Sequence, residues 1–433
     1  ARAPAPRRVA ARAAAAGAAV VDADPEEPIT SFAASIAAPL CAVSGAIILN
    51  VALGSLYTWS VFLAPLQEAT GMGRAALSVP FGLATATFAT TMAVAPRLVA
   101  RAPTPLAAGA SLALGGVGLA LAGGLPQSFA ALLIGFGLCF GAANGIGYGA
   151  SLATANMMGV KGSAFERLPK GIATGLAVGG YVATPVFFSQ LLKARVAEFG
   201  AHATLLQLGI ILVALAIPAW ALYAASGLQL PMPKKPAKAA SGDAKPTAAA
   251  GSAVLRLQLA CATGATAGLM TIAHAAGIWQ AAGGAACAAA SVVSGASLAN
   301  FFGRIGAGAA ADASPRGAKR VLVGASTVSA LACATLAAGP GGLAGVALAV
   351  VGCCYGATMT CLPAVTSRLF PERFSDVYGR VFATWGAAGV LAPLMAGALF
   401  DRMGNYAISC GIAAAIAFTS ASISATLPGS RLE

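Results

Sequence analysis

The chain has 433 residues, of which 58% are hydrophobic and 9% are charged. Soluble globular proteins carry about 25% charged residues, so this composition excludes a soluble enzyme or binding domain and indicates a surface that faces lipid. The net charge of +13 does not indicate a nucleic-acid partner, because the lysines and arginines lie in short segments between long apolar runs.

The first 35 residues are predicted to form a disordered tail. Residues 1–21 contain four arginines and no acidic residue, which is the composition of an organelle transit peptide. The same stretch contains no serine, and the alternative is a cytoplasmic tail. A second short tail is expected at residues 428–433. Which membrane holds the protein, plasma or organelle, stays open at this point.

Twelve apolar runs follow, each close to the roughly 20 residues that a membrane-spanning helix needs. They predict an all-α membrane protein with twelve transmembrane helices in two pseudo-symmetric six-helix halves. The runs are 38–64, 76–96, 105–125, 128–158, 171–192, 204–226, 255–280, 284–311, 321–339, 341–367, 380–400 and 406–427.

Loop charge predicts the orientation in the membrane. The loops after the even-numbered spans, up to the tenth, carry 15 lysines and arginines, whereas those after the odd-numbered spans carry four. Positively charged loops stay in the cytoplasm. Both termini are therefore expected to be cytoplasmic, together with a Pro/Ala/Lys-rich linker at 227–254 that separates the halves 36–226 and 255–427.

The two halves contain related segments. GIATGLAVGGYVATP begins at Gly171, and GRVFATWGAAGVLAP begins at Gly379, an offset of 208 positions. Upstream of these, Gly-Tyr-Gly around Tyr148 matches Cys-Tyr-Gly around Tyr355 at an offset of 207. A same-orientation repeat of six helices is the internal symmetry of major facilitator transporters, so the repeat predicts that fold.

Two longer motifs make the resemblance more specific. GSLYTWSVFLAPLQEATG, from Gly54 to Gly71, resembles the first-helix motif of the oxalate/formate antiporter group and related monocarboxylate transporters. NFFGRIGAGAAADASPRGAKR, from Asn300 to Arg320, resembles their eighth helix and the loop that follows it. The resemblance implies that Arg304 is the eighth-helix arginine that holds the substrate carboxylate. It also implies a cavity lined by aromatic side chains, here Tyr57, Trp59, Tyr148, Tyr181 and Tyr355.

This chain departs from the pattern of these carriers at two positions. Oxalate carriers have a second cation, a lysine, in helix 11, where this sequence has Trp385. Proton-coupled monocarboxylate carriers have an aspartate four residues before the arginine, and here that residue is Asn300. The first departure favours a monocarboxylate over a dicarboxylate, and the second argues against proton symport by the known route. Asn300 is one helical turn from Arg304 and is expected to orient it or to contact substrate.

Arg304 also stands out on physical grounds. It precedes Asp312 by eight residues, about 12 Å of helix, which places it near the middle of a bilayer core about 30 Å thick. None of the 13 acidic residues lies within the twelve predicted spans. A cation without a carboxylate partner at this depth predicts an anion-binding site. The alternative is a structural arginine that reaches helix ends.

His274, in the seventh span, is the remaining candidate for proton coupling. The alternative is a hydrogen-bonded packing residue, in which case exchange or facilitated diffusion is expected. No catalytic pair, metal cluster or cofactor motif is found, so we predict a non-enzyme without metal or cofactor.

The sequence therefore predicts a secondary active or facilitative transporter of small organic anions, with monocarboxylates as the leading substrates. We expect it to work by alternating access as a monomer in the lipid bilayer. The alternatives are a carrier of neutral or zwitterionic solutes, such as amino acids or sugars, and a non-transporting carboxylate receptor with the same fold.

Overall fold

The computed structural model describes residues 27–99, 101–126, 128–160, 163–168, 170–230, 248–314, 316–339, 341–371 and 373–429. These residues form twelve long helices, numbered here in chain order. They are α1 Glu27–Thr70, α2 Arg74–Val99, α3 Thr104–Gly124, α4 Phe129–Met157, α5 Lys170–Phe199, α6 Ala201–Ser226, α7 Ala248–Ala281, α8 Ala289–Asp312, α9 Gly317–Ala337, α10 Ala344–Leu369, α11 Phe374–Met403 and α12 Ala407–Ala425. Within the described residues, eleven helices are long and apolar enough to cross a membrane. The predicted fold class is confirmed.

Two helices begin inside segments predicted to be a tail or a linker. Helix α1 begins at Glu27, inside the predicted tail, and α7 begins at Ala248, inside the predicted linker 227–254. Alanine is the strongest helix former, and the segment AAAGSAV lets α7 extend by two turns before its apolar run starts. Residues 1–26 and 231–247 lie outside the described residues, so the rest of both predictions is untested.

Two helices contain irregular turns. Helix α1 is interrupted by a 3₁₀ turn at Gly54–Thr58, and α4 by a π-helical stretch at Leu133–Phe140. Changes of helical repeat rotate the side chains that follow them, and they occur frequently at functional sites. Here the 3₁₀ turn carries Tyr57.

Helix packing shows the pseudo-symmetry of the two halves. Helices α3 and α6 pack together in the first half, and their counterparts α9 and α12 pack together in the second. The halves meet along α2 with α11 and along α5 with α8. When the first six helices are mapped onto the last six, α2 corresponds to α8 and α5 corresponds to α11. The α2–α11 pair therefore corresponds to the α5–α8 pair, and the same kind of interface occurs on both sides of the bundle.

Small residues let the helices of a half approach closely. A Cβ atom built on Gly116 of α3 would lie 2.5 Å from the carbonyl oxygen of Gly209, and one on Gly209 of α6 would lie 2.6 Å from that of Gly116. The two backbones are therefore in direct contact. Such contacts are the usual basis of helix association in lipid, where apolar burial between helices gives little driving force.

We expect Gly116→Ile to destabilise the first half, because a branched side chain cannot fit against the α6 backbone. Overpacking of this kind costs about 1–3 kcal/mol. Thermal unfolding of the detergent-purified protein should begin at a lower temperature. Gly124→Ala is the control on the same helix, since nothing lies within 4 Å of a Cβ built there. Equal unfolding temperatures for the two variants would contradict the close packing.

Candidate functional site

The candidate site is a small cavity between the two halves, about 50 Å³ in volume. Helices α1, α2, α4 and α5 supply one wall, and α8, α10 and α11 supply the other. The lining consists of one cation among aromatic and apolar side chains: Tyr57, Phe88, Tyr148, Tyr181, Val182, Arg304, Tyr355, Met359, Tyr378, Phe382 and Trp385. The site therefore brings together residues that lie more than 300 positions apart in the sequence.

Arg304 is held in this cavity by its own helix. Its Nε donates a hydrogen bond to Asn300 Oδ1 at 3.1 Å, and Asn300 is 2% exposed. On the opposite face of α8, Phe302 and Ile305 are exposed, as side chains of a lipid-facing surface are. Arg304 thus points between the halves and does not extend along the lipid surface.

The terminal nitrogens of Arg304 remain available for a ligand. In the described part of the chain the one salt bridge joins Arg195 and Glu198, so Arg304 has no carboxylate partner there. Asn300 engages only Nε. A guanidinium with both Nη groups free can grip a carboxylate through two parallel hydrogen bonds.

The tyrosines of the cavity form two hydrogen-bonded groups. Trp385 Nε1 donates to the hydroxyl of Tyr355 at 2.8 Å, and this hydroxyl lies 3.5 Å from that of Tyr57 on the other half. The Tyr181 hydroxyl donates to Asn144 Oδ1 at 2.6 Å. The ring of Tyr181 also packs edge-on against Tyr57, with the centroids 5.4 Å apart. These bonds fix the rings that enclose Arg304.

Most of the site residues predicted from the sequence meet at this cavity: Tyr57, Tyr148, Tyr181, Asn300, Arg304, Tyr355 and Trp385. Trp59 does not. It is 1% exposed and its ring lies 4.4 Å from that of Phe136, on the side of α1 that faces α4. Two positions along a helix turn a side chain by about 200°, so Tyr57 and Trp59 cannot both face the cavity.

Sequence reasoning missed part of the lining. Tyr378, Phe382 and Trp385 lie on one face of α11, and the rings of Phe382 and Trp385 stack with centroids 5.1 Å apart. Their spacing of four and three residues is that of a single helical face and could have revealed the set. Phe88 contacts both Tyr148 and Trp385 from α2, and no motif in the sequence marks it.

The two halves are tied together at one end of the bundle, which we call the Arg74 end because α2 begins there. Asp401 of α11 accepts hydrogen bonds from the backbone N–H groups of Arg74 and Ala75, each at 2.8 Å. It therefore caps the N-terminus of α2 from the opposite half. Arg74 donates to the Tyr406 hydroxyl at 2.6 Å and stacks 3.6 Å above the ring of Phe400.

A second set of bonds ties α5 to the start of α8 at the same end. Lys193 Nζ donates to the carbonyl oxygens of Ala286 and Cys287, and Gln190 Nε2 donates to Ser291 Oγ at 2.7 Å. Further hydrogen bonds between the halves join Ser78 to His274 and Ser294 to the carbonyl oxygens of Pro185 and Val186. The structure is therefore closed at that end.

His274 belongs to this closure and does not line the Arg304 cavity. It is fully buried, with Nδ1 3.0 Å from the Tyr406 hydroxyl and Nε2 2.9 Å from the carbonyl oxygen of Pro393. Ser78 Oγ of α2 lies 3.3 Å from Nε2. Proton coupling through His274 remains a prediction. If it occurs, it takes place in the closure and not at the Arg304 cavity.

A larger cavity of about 710 Å³ opens at the Arg74 end, outside the closure. We call it the vestibule. Its walls are mostly small apolar side chains of α1, α5, α7 and α8, with five polar residues among them: Ser60, Glu68, Arg74, Lys193 and Gln280. Ser60 and Val61 line its floor one turn beyond Tyr57, so the vestibule and the Arg304 cavity lie in series along α1.

No group of three or more His, Cys, Asp or Glu side chains able to hold a metal occurs in the described ranges. The cysteines lie in apolar segments, and of the nine only Cys287 is exposed.

A comparison with profiles of known families and a search of curated proteins found no match. Among solved structures, the chain is similar to a bacterial homologue of the human lysosomal transporter Spinster in an inward-facing and occupied conformation. The TM-score is 0.65 at 14% identity, and the match covers 93% of this chain and 97% of that chain. The chain has the major facilitator fold.

The major facilitator fold explains where the cavity lies. In this fold the site is formed at the interface of two repeated halves, near the middle of the membrane. The apolar helices and the structural similarity together establish a multi-pass membrane protein. At 14% identity the similarity shows the fold alone, so the resemblance to oxalate/formate antiporters remains a prediction.

We expect Asp401→Ala to weaken the closure, because the N-terminus of α2 loses its cap. Loss of such a cap costs about 0.5–2 kcal/mol, which shifts the balance between closed and open forms by about two- to thirtyfold. In sealed proteoliposomes, a cysteine placed at Val182, which lines the Arg304 cavity, should react faster with a membrane-impermeant thiosulfonate reagent added on the Arg74 side. The rate is measured by mass spectrometry in a Cys287→Ser background.

Glu68→Ala is the matched control for this experiment. Glu68 is an exposed carboxylate at the same end and takes no part in the closure. If both alanine variants changed the rate at Val182→Cys equally, a specific role for Asp401 would be ruled out.

Proposed function

We propose that this protein is a transporter of small organic anions, with monocarboxylates as the leading substrates, and that it works by alternating access. The observation that carries the proposal is Arg304: a cation with free Nη groups, without a described carboxylate partner, in an aromatic cavity between two halves of the major facilitator fold. A half-buried charge among apolar side chains at this depth is costly unless an anion compensates it. A substrate carboxylate supplies that anion.

The residues that line the cavity favour a substrate with one carboxylate group over a substrate with two. Helix α11 lines the cavity with Phe382 stacked on Trp385, and Arg304 is the one cation in the described lining. The hydroxyls of Tyr148 and Tyr378 make no hydrogen bond within the described residues, so both are free to donate to the substrate. An anion with a single acid group and a small apolar body fits this combination better than a compact dianion.

The closure at the Arg74 end supports alternating access. There the halves are tied by hydrogen bonds that involve Asp401, Arg74, Lys193 and Gln190. The similar structure is that of a transporter in an inward-facing and occupied conformation. By the distribution of loop charge, the Arg74 end faces away from the cytoplasm, so this conformation would release substrate to the cytoplasm.

Counterflow in proteoliposomes tests the site. Arg304→Gln should weaken carboxylate exchange by at least about tenfold, since a hydrogen bond to a charged group contributes about 1.5–3 kcal/mol. Arg304→Lys should retain part of the exchange activity, because lysine keeps the positive charge but cannot form the bidentate pair of hydrogen bonds to a carboxylate. Arg195→Gln, an exposed arginine at the Arg74 end, is the control and should exchange normally.

Three results would overturn the proposal. Carboxylate exchange at normal affinity in Arg304→Gln would remove Arg304 from the site. Exchange of sugars or amino acids, with no competition from carboxylates, would identify the alternative carrier of neutral or zwitterionic solutes. Binding of a carboxylate without any exchange would instead identify a receptor.

Cys287 provides a test of orientation that needs no engineered cysteine. It is the exposed cysteine of the chain and lies beside the vestibule. We expect a membrane-impermeant maleimide to label it in sealed vesicles whose non-cytoplasmic face is outward, and not in inverted vesicles. Cys287→Ser should abolish the labelling. Labelling in inverted vesicles alone would place the Arg74 end in the cytoplasm.

A further inference from the structure

The hydrogen bonds around His274 determine which of its nitrogens carries the proton. Arginine can only donate, so the Tyr406 hydroxyl oxygen accepts from Arg74. The hydroxyl proton must then point at His274 Nδ1, 3.0 Å away, which makes Nδ1 an acceptor. On the other side of the ring, the carbonyl oxygen of Pro393 can only accept, so Nε2 carries the proton. The closed structure therefore requires a neutral imidazole.

A second proton on His274 would disrupt this arrangement. The new N–H at Nδ1 would point at the Tyr406 oxygen, which already accepts from Arg74, and the hydroxyl proton would lose its acceptor. The imidazolium would also be fully buried close to the Arg74 cation. An uncompensated buried charge is among the most costly features that a protein interior can contain.

The charged and titratable groups near His274 do not remove this cost. Helix α2 presents Arg74, and α11 and the turn after it present Asp401 and Tyr406. Both carboxylate oxygens of Asp401 are occupied by the N-terminus of α2. Helix α1 places Glu68 in the vestibule, and α12 offers the thiol of Cys410. The segments of α8 and α10 that face α7 contain no charged residue.

The chain from Arg74 through Tyr406 to His274 crosses between the halves. Arg74 lies in the first half, whereas Tyr406 and His274 lie in the second. Ser78 of α2 adds a contact to Nε2, and its own hydroxyl proton is donated to the Arg74 carbonyl oxygen at 2.7 Å. Disturbing His274 therefore disturbs contacts that hold the Arg74 end closed.

The vestibule gives protons a short route to His274. Arg74 and Gly277 line the vestibule. A Cβ atom built on Gly277 would lie 2.7 Å from Arg74 Nη1 and 2.9 Å from the Tyr406 hydroxyl. The Tyr406 hydroxyl thus lies next to the vestibule wall on one side and to His274 Nδ1 on the other. When a hydrated proton replaces Arg74 as donor to the Tyr406 oxygen, the hydroxyl can pass its own proton to Nδ1. Tyrosine then ends unchanged, and the imidazole has gained one proton.

We propose that His274 is a proton-binding site, loaded from the vestibule through the Tyr406 hydroxyl, and that its protonation opens the Arg74 end. The direction follows from the geometry: the closed form holds neutral histidine, so acid favours the open form. Acid in the compartment at the Arg74 end then promotes admission of the substrate anion to the Arg304 cavity. This last consequence rests on the proposed function, whereas the effect on conformation does not.

The test measures a distance across the vestibule as a function of pH. Spin labels are placed at Ala69→Cys, on the exposed end of α1, and at the native Cys287, with the other cysteines replaced. We expect the population with the longer distance to grow as the pH falls from 8 to 5, by up to tenfold per pH unit for a single linked proton. His274→Asn should abolish this response, and His274→Gln serves if the asparagine variant does not fold.

His202→Asn is the matched control, because His202 is the other histidine of the chain and lies on α6 away from the closure. It should keep the full pH response. A pH response that persists in His274→Asn or His274→Gln, or that is missing from the unmodified protein, would overturn the proposal. Loss of the response in His202→Asn would do the same, since the response would not be specific to His274.

Carboxylate uptake from the Arg74 side provides the functional arm. It should be stimulated by external acid in the unmodified protein and in His202→Asn, and should be independent of pH in His274→Asn. If the distance responds to pH as expected but no carboxylate is transported at any pH, the proton site stands and the proposed substrate class fails. The two proposals are thus tested separately.

Discussion

Arg304 places a positive charge at the interface of two apolar helix bundles, and this charge has to be compensated. The arrangement of the groups around it follows from that requirement. Asn300 binds one nitrogen of Arg304, which orients the group but leaves its charge uncompensated. The remaining compensation must come from outside the chain or from conformations that hydrate the cavity. An anion that binds and leaves meets this requirement, whereas a permanent carboxylate in the lining would remove the need for a substrate.

The same requirement explains the character of the lining. Aromatic rings keep the cavity small and largely free of competing charges, and this strengthens any bond made to Arg304. The hydroxyls of Tyr355 and Tyr181 take part in hydrogen bonds within the lining, whereas those of Tyr148 and Tyr378 make none within the described residues. The indole of Trp385 is one of the groups that the Tyr355 hydroxyl binds.

The contacts between the halves differ from those within a half. At the Arg74 end, hydrogen bonds that involve Asp401, Arg74 and Lys193 join the halves. These bonds involve charged groups next to a water-accessible vestibule, so water can replace each partner at modest cost. By contrast, the contact of Gly116 with Gly209 within the first half is a direct backbone contact. The bundles are thus rigid internally and separable from each other, as motion of one half against the other requires.

The sequence by itself determined the twelve apolar helices, the division into two repeated halves, and the depth of Arg304 in α8. Each of these depends on local hydropathy or on similarity at a fixed offset, which any segment carries without reference to its neighbours. The tertiary structure decided which aromatic side chains meet at Arg304. In the structure Tyr57 lines the cavity and Trp59 does not. Tyr378, Phe382 and Phe88 also line it, and His274 lies in the closure. A shift of one position turns a side chain by about 100° around its helix. The hydrogen-bond partners of Tyr57 and His274 also lie more than 100 positions away in the sequence, so helix orientation and long-range contact had to be seen in three dimensions.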